Sequence, residues 1–197
     1  MSLDETLQRL QDAAWEHVAS LSDTDSLSND HLAGWLQVAQ AAQPLLDALE
    51  RPEVMQSLQR TAAAIPARPA PQAPPNPHLQ QIATALREVN DQLPTDTATR
   101  QNVSDVVALV IHSTARTDAA QARDSSNPQV RTTAAELEMT AQQSHEAVTD
   151  PQARAMPTPS APASRQAPTA RRTPEVSHDV QHDAPRQTPT QRPGRSM

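Results

Sequence analysis

The chain has 197 residues, with 16 basic and 23 acidic side chains for a net charge of −7, and it contains no Lys, Cys, Phe or Tyr and only two glycines. Without cysteine there is no disulfide framework, thiol nucleophile or zinc–thiolate cluster. Without lysine there is no Schiff base or P-loop cation, and two glycines cannot build a phosphate or dinucleotide loop, which needs several for close backbone approach.

Apolar residues and charge are both unevenly spread. Leu, Ile and Val total 31 residues, about 16% of the chain, a level at which composition alone favours disorder. Of these, 29 fall in residues 1–150, and only Val176 and Val180 lie beyond. Residues 1–150 carry nine arginines against twenty acids, net −11, whereas residues 151–197 carry seven arginines against three acids, net +4. Lys, Phe and Tyr share A/T-rich codons, so their absence points to GC-rich bacterial coding. The N-terminus is acidic and lacks the regions of a signal peptide, and no apolar run approaches the ~18 residues that span a bilayer. A cytoplasmic protein without membrane contact is therefore expected.

In chain order, Ser2-Leu3-Asp4-Glu5 is a capping-box pattern that opens an amphipathic helix over residues 2–21. Its stripe is Leu3, Leu7, Leu10, Ala14, Val18 and Leu21. After a polar turn, Ser28 or Asn29 caps a second helix with Leu32, Trp35, Leu36 and Ala39 on one face. Pro44 is expected to bend or restart that helix. Pro52 opens a third, with Val54, Met55, Leu58, Ala62 and Ile65. Trp15 and Trp35 are the expected large core fillers, each with an indole N–H that needs an acceptor when buried. Residues 1–65 thus form an N-terminal helical module.

Residues 66–77 contain six prolines and read as an extended, semi-rigid linker. Its three PxxP spacings, from Pro66, Pro71 and Pro74, are of a kind that arises by chance in proline-dense sequence. Asn76-Pro77 then starts a helix whose stripe, Leu79, Ile82, Leu86, Val89 and Leu93, repeats at 3, 4, 3 and 4 and ends at Pro94. Thr95-Asp96 caps a central segment around the apolar run 106–111. Its β-branched residues would suit a strand paired across a dimer. However, no other segment offers such a strand a partner, and Val103, Val106, Val107, Val110 and Thr114 share one helical face. Asn127-Pro128 starts the last helix, with Val130, Ala134, Leu137, Ala141, Ser144 and Val148 in register. Residues 78–149 therefore form a three-helix module with a thin core. The stripe Leu79, Ile82, Leu86, Val89 and Leu93 is the expected seam for self-association or a partner helix. Residues 150–197, rich in Pro, Thr and Arg, form a disordered tail.

The expected fold class is all-α: two small helical modules joined by a Pro-rich linker, with a disordered C-terminal tail. Sequence offers no catalytic, cofactor or metal residues. His145-Glu146 begins like the zinc-protease HExxH, but Thr149 stands where the second histidine must be. His178 and His182, four apart in the tail, have helical metal-ligand spacing in a segment not expected to be helical. The expected function is a non-enzymatic helical interaction protein that takes a protein partner or a second copy, with no cofactor and no small-molecule substrate. The alternative is an accessory nucleic-acid-binding protein of a plasmid or phage, with Arg165, Arg171, Arg172, Arg186, Arg192 and Arg195 on phosphates. Against it stand a tail with no aromatic residue for stacking and an acidic body.

Overall fold

The computed structural model describes residues 2–21, 27–65 and 76–149, and among them every regular element is a helix. These are α1 (Leu3–Leu21), α2 (Asn29–Ala48), α3 (Pro52–Ala64), α4 (Pro77–Asp91), α5 (Thr97–Asp124) and α6 (Pro128–Thr149). The tail from residue 150, and the linker apart from Asn76 and Pro77, lie outside the described residues. No described helix is long and apolar enough to cross a membrane.

The helix starts follow local chemistry. At α1, the Ser2 amide donates to Glu5 Oε2 (2.9 Å) and the Glu5 amide to Ser2 Oγ (3.3 Å), completing the capping box. Ser28 Oγ accepts from the His31 amide, Asp96 Oδ1 from the Thr99 amide and Asn127 Oδ1 from the Gln129 amide. Pro52, Pro77 and Pro128 occupy first positions, where no amide donor is missed. The central β-branched run is helical, because α5 satisfies its backbone groups internally while its apolar face meets α1 and α6.

Two expectations change within α2. The helix runs through Pro44 without ending and stops at Ala48. Its end is a Schellman motif: the Arg51 amide reaches Leu46 O (2.9 Å), the Glu50 amide reaches Asp47 O (3.1 Å), and Glu50 has φ 56°. Leu36, expected on the inner face, is exposed; Leu32, Trp35, Val38, Ala42 and Leu45 point inward instead.

Where the sequence suggested modules at 1–65 and 78–149, the structure joins their helices in one core. Each helix packs mainly on two others in a closed circuit that runs α1–α5–α6–α3–α2–α4 and returns to α1, with a lesser contact between α2 and α6. The circuit passes from one side of residues 66–75 to the other at α1–α5, α3–α6, α2–α4 and α4–α1. Two buried polar contacts reinforce it. Thr61 and Thr140 share a hydrogen bond (2.9 Å) between α3 and α6, and Arg51 Nε donates to Ser104 Oγ (2.7 Å) between the α2–α3 turn and α5.

The approach of α4 to α2 depends on Gly34. A Cβ added there would lie 2.8 Å from Leu79 Cβ and 2.7 Å from Leu79 Cδ1. The first of these sits against backbone and has little room to yield. On helix propensity alone, Gly34→Ala would stabilise by roughly 1 kcal/mol. The contact reverses that sign: we expect Gly34→Ala to destabilise by about 1–3 kcal/mol, measured by urea unfolding.

Asp96 provides a pH test. The Thr99 backbone hydrogen bond, above all, lowers its pKa from the ordinary 3.8. A lowered folded pKa means the stabilisation is complete above 3.8 and is lost as pH falls through the lower folded value. The stability difference between the wild type and Asp96→Ala should be present at pH 7 and shrink towards zero in strong acid, followed by urea midpoints across that range.

Candidate functional site

Three helices bring histidine, tryptophan and carboxylate side chains to one buried point. Asp118 comes from the inner face of α5, one turn beyond Thr114 and two beyond Ile111, both buried. His17 lies on the stripe of α1, one turn after Ala14, and His31 and Trp35 are successive turns of α2. Asp118, His17 and Trp35 are fully buried. Asp118 Oδ1 faces His17 Nε2 at 2.8 Å, while Oδ2 faces His31 Nε2 at 3.1 Å and accepts from Trp35 Nε1 at 2.6 Å. One carboxylate thus has three nitrogen partners on two helices other than its own.

Burial acts on Asp118 first and pushes its pKa up; the hydrogen bonds from His17 and His31, then their charge interactions, outweigh it, and the net shift is downward. Three N–H donors directed at its two oxygens suit the ionised form of the carboxylate.

Asn76, the N-cap of α4, extends the network. Its Oδ1 accepts from the amides of His78 (2.9 Å) and Leu79 (3.2 Å), which fixes the orientation of the amide group. Its Nδ2 then faces His31 Nδ1 at 2.8 Å and must be the donor. His31 Nδ1 is the acceptor, so the ring proton is on Nε2, directed at Asp118. His78 adds a third imidazole, its ring centroid 6.4 Å from that of His17, which is itself 5.2 Å from that of His31. Within the described structure, His17 Nδ1 and His78 Nδ1 are buried without a hydrogen-bond partner, the latter 3.9 Å from Glu16 Oε2.

A second feature lies on the surface between α1 and α5, a groove of about 480 Å³. Trp15, Val18, Val106, Leu109 and Val110 give it apolar walls, and Arg116 is the one formal charge among its lining residues. Trp15, expected in the core, is 73% exposed, and Leu109 is 46% exposed. Trp15 follows Ala14 directly and so points about 100° away from the stripe that packs inward. Trp35 does fill the core, and its N–H finds the acceptor it needs in Asp118.

The seam proposed from sequence lies inside the molecule. Leu79, Ile82, Leu86 and Val89 are buried and Leu93 is partly buried, because α4 lays its stripe against α1 and α2 of the same chain. Arg165, Arg171, Arg172, Arg186, Arg192 and Arg195 lie outside the described residues, as do His178 and His182. His145, at the near-motif, has its ring 4.9 Å from that of His112, whose Nδ1 donates to Ala141 O. Sequence reasoning missed His17, His31 and Asp118. The available signal was three polar residues at positions that the apolar periodicity assigns to the interior.

Comparison of the chain with protein-family models, with curated proteins and with solved structures gives no match.

Asp118→Asn keeps the side-chain shape but places an NH₂ group where an oxygen accepted a proton. With a chelator present, we expect a loss of about 3 kcal/mol, measured by urea unfolding and accompanied by a change in Trp35 fluorescence.

Proposed function

We propose that this protein is a non-enzymatic helical interaction protein that takes a partner helix in the groove between α1 and α5. The observation that carries this reading is Trp15, a large apolar side chain 73% exposed on a groove that Leu109 also flanks. Contiguous apolar surface from two helices is the usual ground for an amphipathic helix to dock, and exposed Trp is the residue type most often found to anchor such contacts.

Charge defines the partner. The described residues carry 8 arginines and 17 acids, yet the groove is lined by Arg116 and no acid. A helix with an apolar stripe flanked by carboxylates suits it, and such a helix would pair with Arg116 while Trp15 packs between its turns. Two copies joined groove to groove would set Arg116 against Arg116, which disfavours symmetric self-association here. The arginine-rich segment beyond residue 150 leaves nucleic acid as a second reading, opposed by the acidity of the helical body.

Trp15 is the exposed one of the two tryptophans, and Trp15→Phe supplies the emission background of buried Trp35. Against that background we expect a designed amphipathic helix with glutamate flanks to blue-shift Trp15 emission saturably. Its arginine-flanked counterpart should bind at least tenfold more weakly, and Leu109→Asp should abolish the shift. Equal binding of both peptides, or none, overturns the proposal. So does concentration-dependent dimerisation in sedimentation that Trp15→Ala removes, since a second copy would then be the occupant.

A further inference from the structure

His17, His31 and Asp118 each offer one candidate ligand atom, and these atoms lie within 4.8 Å of one another. We propose that these three residues bind a divalent transition cation of the zinc class. Imidazole nitrogen with carboxylate oxygen is a donor set zinc accepts, and three protein ligands leave one position open.

The spacing is close to what the ion requires. Bonds of about 2.0–2.2 Å put two ligands of a tetrahedral zinc roughly 3.3 Å apart. His17 Nε2 lies 2.8 Å from Oδ1 of Asp118 and His31 Nε2 3.1 Å from Oδ2, each a few tenths of an ångström shorter than that and to a different oxygen, while the set as a whole spans up to 4.8 Å, so side-chain rotations must gather the three ligands to admit the ion. Supporting contacts are already in place. Trp35 Nε1 holds Asp118 Oδ2 from behind, and the carboxylate supplies one of the two positive charges' counterions inside the core. His17 Nδ1 is buried without a hydrogen-bond partner in the described structure. Ligation through Nε2 would place the ring proton there, so the metal-bound form carries that unpaired donor as a cost.

The proton balance leads to a specific consequence at His31. To ligate through Nε2, the neutral ring must move its proton to Nδ1, and that nitrogen now faces the Nδ2 donor of Asn76. Asn76 cannot turn over without releasing the His78 and Leu79 amides that it caps. Asparagine therefore restrains the metal-bound form. Aspartate at this position would keep one oxygen on the two amides and offer the other to His31 Nδ1–H, the carboxylate–histidine–metal arrangement.

The test uses the full-length, metal-stripped chain carrying His178→Ala and His182→Ala, so that the tail pair cannot contribute. Zinc is titrated in competition with a chromogenic chelator, and the thermal midpoint is followed by circular dichroism. We expect one zinc per chain, a raised midpoint, at least tenfold weaker binding in His31→Gln, and roughly tenfold tighter binding in Asn76→Asp. The last variant retains the cap and so serves even if His31→Gln folds poorly. No zinc binding at micromolar concentration overturns the proposal, as does unchanged affinity in Asn76→Asp. Neither result depends on what occupies the α1–α5 groove.

Discussion

A carboxylate with no access to water must be surrounded by donors, and Asp118 is surrounded by three. Leaving such a charge unpaired would cost several kcal/mol, so α1 and α2 are held where His17, His31 and Trp35 reach it. Apolar contacts tolerate small slips along a helix, but hydrogen bonds of 2.6–3.1 Å to one group do not. This cluster sets the register of three helices that are far apart in sequence. Through Asn76 it also reaches a fourth, because the residue that caps α4 also hydrogen-bonds His31.

Gly34 makes that link possible. It lies one turn after His31 on α2, where the absence of a side chain lets Leu79 approach. Leu79 is three residues beyond Asn76, so the same close approach seats the seam of α4 in the core and brings its N-cap to the histidine. The helix that looked free to recruit a partner is therefore committed inside its own chain. An apolar groove remains open between α1 and α5, where Trp15 and Leu109 stand exposed beside residues of the two stripes.

Much of the helical framework was legible in the sequence because its causes are local. Ser2 with Glu5, Ser28, Asn76 and Asp96 cap the helices they precede, and the 3–4 spacing of Leu, Val and Ala marks their inner faces. Pro44 does not end α2: sequence records the lost hydrogen bond, while the burial of Leu45 and Leu46 just beyond it favours a helix that continues. The candidate site was hardly legible. His17 and Asp118 are 101 residues apart, and each alone is an isolated polar residue on an apolar face.

The sequence by itself determined that the chain is helical, where most helices begin, and which catalytic chemistries its missing residue types forbid, since these follow from backbone capping, periodicity and composition. Only the tertiary structure decided which stripe meets which. It buried Leu79, Ile82, Leu86 and Val89, left Trp15 outside, and gathered His17, His31 and Asp118 around one charge. The reason is physical: an apolar stripe specifies that it must be covered but not by what, and the choice falls to shape at Gly34 and to hydrogen bonding at Asp118.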